Sequence, residues 1–116
     1  MTQEYLGQKI VTAWHQEKDG QEGYGVKYPD GYTSWCPKAA FEEANIALGQ
    51  ISGLPPHQQR VIAEHAALED KMIKLKGFIG TDTFSNLDRD DQTLLIQQLA
   101  AMSNYISILE VRMDRF

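Results

Sequence analysis

The sequence contains little cysteine and no long apolar run. Its one cysteine, Cys36, excludes an internal disulfide and any cysteine-based zinc or iron–sulfur site within one chain. No window approaches the roughly 18 apolar residues of a membrane span. The N-terminus also lacks the basic start and apolar run of a secretion signal. These features predict a cytoplasmic protein with no membrane partner.

An excess of basic residues is also missing. The chain of 116 residues has 11 basic and 16 acidic residues, which give a formal net charge of −5 at pH 7. Proteins that hold DNA or RNA by neutralising the phosphate backbone need the opposite balance, so neither nucleic acid is an expected partner. An acidic chain can still bind a small anion where a few donors converge.

The length is that of one domain. Hydrophobic residues make up 42% and charged residues 23%, which is typical of a folded globular chain. Composition and periodicity change near residue 50. We therefore predict a single domain over 1–116, with a β-rich part and a short helix in 1–48 and two long helices in 57–116.

Residues 1–48 predict a small antiparallel sheet followed by a short helix. A β-prone stretch over 9–18 precedes turn-like residues, and the alternating run over 24–28 suits a strand with one buried side. Pro29-Asp30-Gly31 is typical of a tight turn, so 32–35 is expected to be the returning strand. Pro37 fits the first turn of a helix that Gly49 ends.

Residues 57–116 predict an antiparallel helical hairpin. The first helix begins after Pro56 and runs to Ile79, and a loop over 81–87 follows. In the second helix the apolar residues step alternately by four and three, the repeat of a coiled-coil seam. These are Leu95, Leu99, Met102, Ile106, Leu109, Met113 and Phe116. The short loop favours an antiparallel arrangement, and the whole chain is predicted to be α+β.

No residues show the spacing of a catalytic or metal site. Nothing places a histidine beside Cys36, which is interpreted as a small buried hydrophobe. His65 and Glu69 are one helical turn apart, but no second pair of ligands follows them. The preferred interpretation is a solvated helix face with an ion pair. No catalytic residue, metal or cofactor is predicted.

A stripe beside the seam predicts an anion site. Tyr105, Ile108, Arg112 and Arg115 follow steps of three, four and three along the last helix. Two guanidinium groups one turn apart can hold a phosphate, and an aromatic ring can stack on a base or ribose. The alternative is that both arginines only form ion pairs with Glu110, Asp114 or the neighbouring helix.

Two blocks of the chain resemble phage proteins. The segment VKYPDGYTSWCPK over 26–38, with Phe41 and Glu42, resembles a segment common in small phage-encoded proteins. The helical half, from Gln59 to Arg112, is similar to the helical hairpin of the same proteins. Together they resemble the first-described Thoeris anti-defence family of phage sponges.

The resemblance implies a protein that sequesters a nucleotide and is not an enzyme. Members of that family bind cyclic ADP-ribose isomers made by bacterial TIR-domain immune proteins. Some also bind cyclic oligonucleotides of the CBASS pathway at a separate site, and they assemble as oligomers. For this chain the resemblance implies a cyclic ADP-ribose-type ligand, with cyclic di- or trinucleotides as further ligands. It also implies a homo-oligomer, dimer or hexamer, in the cytoplasm of an infected host cell.

The resemblance also implies which residues bind. It assigns Phe84 and Asn86 in the interhelical loop, and Arg112 and Arg115 near the C-terminus, to a nucleotide pocket. The stripe on the last helix adds Tyr105 to the candidate ligand-binding residues. Arg60 is the candidate contact in a second site.

The sequence leaves other functions open. One is a protein-interaction module whose C-terminal helix docks on a phage or host protein without any small-molecule ligand. A hydrolase of the same nucleotide is disfavoured because no catalytic set is visible.

Overall fold

Three strands and four helices follow one another along the chain. The computed structural model describes residues 1–116, with β1 at Thr12–His15, β2 at Gly23–Lys27, β3 at Thr33–Pro37, α1 at Lys38–Ala44, α2 at Pro56–Ile79, α3 at Asp82–Ser85 and α4 at Arg89–Asp114. The chain divides into two compact units, 1–46 and 47–116. The α+β class, with a sheet followed by a helical hairpin, is confirmed. That both parts form a single domain stays a prediction.

The first unit contains an antiparallel sheet in the order β1-β2-β3. The turn between β2 and β3 is built by the predicted residues. Asp30 Oδ1 accepts a hydrogen bond of 2.9 Å from the Tyr32 N–H, and Gly31 adopts a φ of +92°. That φ favours glycine, and the short acidic side chain stabilises the turn from within.

Two glycines on β2 make room for two indole rings. A Cβ at Gly25 would overlap the ring of Trp14, and a Cβ at Gly23 would overlap the ring of Trp35. Gln16 fixes both indole edges. Trp14 Nε1 donates a hydrogen bond of 2.9 Å to the side-chain oxygen of Gln16. Trp35 Nε1 donates one of 2.8 Å to the main-chain oxygen of the same residue. Packing therefore requires glycine at both positions.

Helix α1 packs on β2 through an aromatic pair. The rings of Phe41 and Tyr24 are stacked with centroids 4.4 Å apart. The Tyr24 hydroxyl donates a hydrogen bond of 2.6 Å to Glu42, and this bond raises the pKa of Tyr24 above its ordinary value. The prediction that the helix reaches Gly49 is wrong. Asn45 is extended, and its side-chain amide donates to the Phe41 carbonyl at 2.9 Å, so the helix ends there.

The second unit contains the antiparallel hairpin of α2 and α4. The seam predicted from the four-three repeat faces α2: Met102, Ile106 and Leu109 are buried, and Leu109 has no exposed surface. Val61 is the buried residue contributed by α2. The apolar seam of α4 therefore forms the centre of this unit. No helix combines the length and apolar character needed to cross a bilayer.

The segment predicted as a loop between the long helices contains one helical turn, α3. Thr81 Oγ1 accepts from the Phe84 N–H at 3.3 Å and caps this turn. The Phe84 ring packs edge-on against Phe78, with centroids 6.2 Å apart. Asp88 then accepts from the Asp90 N–H at 3.2 Å and begins α4. Asp90 and Asp91 add negative charge to the first turn of α4, which the positive end of the helix dipole favours.

We expect Gly25→Ala to destabilise the first unit by about 1–3 kcal/mol, because the added methyl group must displace the Trp14 indole or bend β2. Urea denaturation followed by tryptophan fluorescence measures this change. Gly7→Ala is the matched control, since nothing lies within 4 Å of a Cβ at that position. The control should change the free energy of unfolding by less than about 0.5 kcal/mol. Equal losses in both variants would contradict the packing argument.

Candidate functional site

Helix α4 carries a second row of residues beside the seam that packs on α2. Its members also step alternately by four and three, and we call this row the outer stripe: Leu94, Gln98, Ala101, Tyr105, Ile108, Arg112 and Arg115. Leu94, Tyr105 and Ile108 are 61%, 41% and 53% exposed. A helix in a two-helix hairpin needs only one apolar face, so large apolar side chains on a second face indicate a surface that binds something.

The two arginines at the end of the outer stripe are exposed and have no carboxylate partner. No ion pair or side-chain hydrogen bond involves Arg112 or Arg115, although Glu110 and Asp114 are close in sequence. The Glu110 carboxylate instead lies 3.5 Å from His65 Nε2. The ion-pair alternative for the arginines is therefore not what the structure shows. Their guanidinium N–H groups remain available to an anion.

A shallow depression of about 290 Å³ adjoins Arg112. Its lining consists of Ser107, Ile108, Val111 and Arg112, two pairs of residues one helical turn apart. The two aliphatic side chains form an apolar floor with one guanidinium group at its edge. This arrangement suits a ring that carries a phosphate. Because enclosed ligand sites bury most of the ligand, the depression needs a second wall to hold such a molecule tightly.

The interhelical loop places its two predicted site residues differently. Phe84 is only 8% exposed and packs against Phe78, so its ring supports the turn from inside. Asn86 is exposed, and its side-chain amide has no hydrogen-bond partner within the chain. Gln92 holds this loop against α4 by donating to the carbonyls of Ser85 and Leu87 at 3.1 and 3.0 Å. The ligand contacts assigned to Phe84 and Asn86 stay predictions.

The predicted site residues lie at opposite ends of α4. The helix has 26 residues, and a rise of about 1.5 Å per residue makes it about 39 Å long. Asn86 precedes its first turn, whereas Arg112 and Arg115 lie at its last turn. Tyr105 is two turns before Arg112 on the same stripe. A single chain therefore cannot bring Asn86 and the arginines to one small ligand.

Arg60 lies at the same end of the hairpin as the arginine pair. The contact between His65 and Glu110 fixes the register of α2 against α4. His65 Nε2 is buried and makes no hydrogen bond. Because the two helices are antiparallel, the position five residues before His65 in α2 has about the same height along the hairpin as the position five residues after Glu110 in α4. Exposed Arg60 is therefore level with Arg115. This end of the hairpin therefore carries three guanidinium groups.

Potential metal ligands are not gathered anywhere in the chain. No group of three or more His, Cys, Asp or Glu side chains is placed to share a metal ion.

The helical hairpin is the part of the chain that matches a known protein family. A family model described as Sequestin matches residues 55–115, more than half of the chain, which include α2, α3, α4 and the whole outer stripe. The chain therefore belongs to the Sequestin family. The match agrees with the resemblance to the phage Thoeris anti-defence sponges. A Sequestin domain indicates a protein that sequesters a signal molecule, which is binding and not catalysis.

Searches of curated proteins and of solved structures each found no match to this chain.

The sequence prediction found only the last part of the outer stripe. Tyr105, Ile108, Arg112 and Arg115 do lie together on one exposed face, as their spacing predicts. The preceding members, Leu94, Gln98 and Ala101, were missed. Their signal was the same four-three step continued toward the start of the helix.

We expect Phe84→Ala to lower the free energy of unfolding much more than Arg112→Ala does. Removing the buried Phe84 ring should lower the free energy of unfolding by about 3 kcal/mol, since a cavity is left against Phe78. Arg112→Ala should change it by less than about 0.5 kcal/mol, because that side chain has no partner to lose. Thermal unfolding followed by far-UV circular dichroism measures both. A large loss for Arg112→Ala would show that its guanidinium group is needed for folding.

Proposed function

We propose that this chain is a phage anti-defence protein that binds and sequesters a cyclic nucleotide immune signal without degrading it. The proposed ligand is a cyclic ADP-ribose isomer of the Thoeris system, with the cyclic oligonucleotides of CBASS as a second class. The proposed place of action is the cytoplasm of the infected bacterial cell. The proposal extends the Sequestin assignment, which indicates sequestration of a signal molecule, to a particular kind of signal.

The unpaired arginine pair is the observation that carries this proposal. A cyclic ADP-ribose has two linked phosphates, and each guanidinium group can donate two parallel hydrogen bonds to a phosphate. Arg112 and Arg115 are one turn apart and free of carboxylates, so both can reach such a group. The apolar floor of Ile108 and Val111, with the exposed Tyr105 ring on the stripe, offers a surface for a base or ribose.

Sequestration also requires an enclosed site, which favours an oligomer. A protein that removes a signal must bind it tightly, and a dissociation constant of 1 nM corresponds to about −12 kcal/mol. The open depression beside Arg112 buries too little of a ligand to supply that free energy. We therefore propose that the functional form is a homo-oligomer, in which a second chain contributes the missing wall and the Asn86 amide.

Arg60 supports a second ligand class. It lies level with Arg115 but on α2, so it widens the positive end of the hairpin beyond the arginine pair. A cyclic di- or trinucleotide presents its phosphates around a larger ring than a cyclic ADP-ribose. We propose Arg60 as a contact for that larger ligand.

We expect Arg112→Ala and Arg115→Ala each to weaken binding of a cyclic ADP-ribose isomer by about 10-fold to 100-fold. Each variant loses charge-assisted hydrogen bonds, which contribute about 1.5–3 kcal/mol apiece. Isothermal titration calorimetry on the folded variants gives the affinities. Lys71→Ala is the matched control, because Lys71 is an exposed cation inside α2, away from both the arginine pair and the interhelical loop, and its loss should leave the affinity unchanged. Unchanged affinity in both test variants would contradict the site assignment.

Recovery of the ligand separates a sponge from an enzyme. The protein is incubated with the cyclic ADP-ribose isomer, unbound nucleotide is removed, and the protein is then denatured by heat. Intact nucleotide released from the denatured protein is the expected result. Degraded nucleotide would show a hydrolase and overturn the proposal.

The exposed part of the outer stripe also favours a second candidate, a protein-interaction module. Leu94 and Ile108 are more than half exposed, as expected for a helix that docks on a phage or host protein. In that case no nucleotide is involved. Native mass spectrometry that finds neither nucleotide carried through purification nor nucleotide bound on addition would favour this module over the sponge.

A further inference from the structure

One face of the sheet in the first unit is not covered by α1. Side chains alternate between the two faces of a strand, so the register places Trp14, Lys27 and Trp35 on one face and Tyr24 on the other. Helix α1 packs through Phe41 on Tyr24. We call the face that carries both indole rings the open face, and Trp14 is 43% exposed on it.

The Trp14 indole is fixed in position on the open face. Three adjoining ring atoms, Nε1, Cε2 and Cζ2, lie closest to the position that a Cβ of Gly25 would take, so the ring covers this glycine. The hydrogen bond of 2.9 Å from Nε1 to the Gln16 side chain fixes the rotation of the ring. One π-face of the indole therefore lies against β2, and the other is free to stack on a flat ring.

Trp35 offers less stacking surface than Trp14. Its indole is half-buried, and Lys18 Nζ lies 5.6 Å from the ring centroid. Both indole N–H groups donate to Gln16, so neither is free to donate to a ligand. The open face can thus hold a flat ring by stacking on Trp14 while the polar edges of that ring stay in water.

A row of three polar side chains crosses the open face next to Trp14. Lys27 on β2 is the cross-strand partner of Thr12 on β1 and of Thr33 on β3. All three are exposed, and none makes a side-chain hydrogen bond or an ion pair within the chain. One ammonium group and two hydroxyl groups are donors that suit a phosphate.

The spacing between this row and the Trp14 ring matches a nucleotide. Thr12 and Trp14 are two residues apart on β1, which corresponds to about 7 Å along the strand. A nucleotide presents its 5′-phosphate and its base at a comparable separation. The phosphate can therefore bind at the polar row while the base stacks on the indole.

The charge distribution of the first unit favours a free nucleotide over a nucleic-acid strand. The unit has four lysines and seven acidic residues, yet no acidic residue lies in any of the three strands. One phosphate at Lys27 therefore meets no carboxylate within the strands. A longer strand would extend to the flanking segments, where all seven carboxylates lie and repel further phosphates.

We propose that the open face of the sheet binds a free nucleoside monophosphate, with its base stacked on Trp14 and its phosphate bound by Lys27, Thr12 and Thr33. This site lies entirely within the first unit and uses none of the arginines of the helical hairpin. Its test is therefore independent of the proposed function.

Titration of the full chain with AMP, followed by NMR, tests the site. The chain has two tryptophans, so its spectrum contains two indole N–H signals. The titrated protein carries Arg112→Ala and Arg115→Ala, which excludes binding at the arginine pair. We expect the Trp14 signal to shift saturably and more than the Trp35 signal, because the ring current of a stacked base alters the magnetic field at the indole. No saturable shift up to about 10 mM AMP, or a larger shift at Trp35, would overturn the proposal.

Two variants of the open face separate its two contacts, with the main-chain amide signal of Thr33 reporting the affinity in each. Lys27→Ala should weaken AMP binding about 10-fold, because charge-assisted hydrogen bonds to the phosphate are lost. Trp14→Leu should weaken it by a similar factor through the loss of stacking. Lys71→Ala, an exposed lysine of α2, is the matched control and should leave the affinity unchanged.

The Lys27→Ala variant keeps the test decisive if Trp14→Leu fails to fold. The Lys27 side chain is exposed and has no partner within the chain, so its removal should leave the fold intact. Unchanged AMP affinity in Lys27→Ala would overturn the proposed phosphate contact.

Parts of the ligand provide a second measurement. Adenosine lacks the phosphate and ribose 5-phosphate lacks the base, so each should bind about 10-fold more weakly than AMP. Equal affinity of either compound and AMP would overturn the contact to the group that it lacks. A short single strand of adenylates should bind no more tightly than AMP, and tighter binding of the strand would overturn the choice of a free nucleotide.

Discussion

The packing of the α4 seam on α2 is the constraint on which the second unit depends. Leu109 at its centre is fully buried, and Met102 and Ile106 lie beside it. Once these residues face α2, the rotation of α4 is fixed, and every other side chain on it has a determined direction. The outer stripe is exposed because the seam is buried. The position of the arginine pair at the open end of the hairpin follows from the same packing, together with the contact between His65 and Glu110.

The candidate site shows how the same helix can support both a fold and a binding surface. A four-three repeat buries one face, and a second repeat beside it stays exposed. Burying an unpaired guanidinium group costs much desolvation free energy, whereas an unpaired guanidinium group at an exposed helix end stays hydrated. The arginines at this end of the hairpin can therefore remain without an anion and not destabilise the fold. The acidic net charge of the chain disfavours the binding of long polyanions, whereas the three exposed arginines at one end of the hairpin are accessible to a small anion.

The sequence predicted the features that depend on local periodicity. The seam of α4 and the turn at Asp30 and Gly31 were both predicted, because each needs only residue type and spacing. Features that depend on a particular contact were not predicted. Helix α1 ends early because of one amide of Asn45, and α3 forms because Thr81 caps it.

The candidate site was predictable only as a set of residue types. Spacing placed Arg112 and Arg115 on one face of a helix, but it could not show that no carboxylate reaches them. It also gave no measure of the distance from the arginines to the loop, which depends on the full length of α4. The inward direction of Phe84 likewise follows from packing against Phe78, a contact that no local pattern reveals.

Both tryptophans of the chain lie in the first unit, where Gln16 holds their indole N–H groups. The second unit, by contrast, contains the two long helices. Indole emission therefore reports on the sheet alone, while the helical signal in circular dichroism comes mainly from the hairpin. Each of the two units therefore has its own intrinsic spectroscopic signal. Whether sheet and hairpin unfold together or in succession can be followed in the unmodified protein, without any added dye.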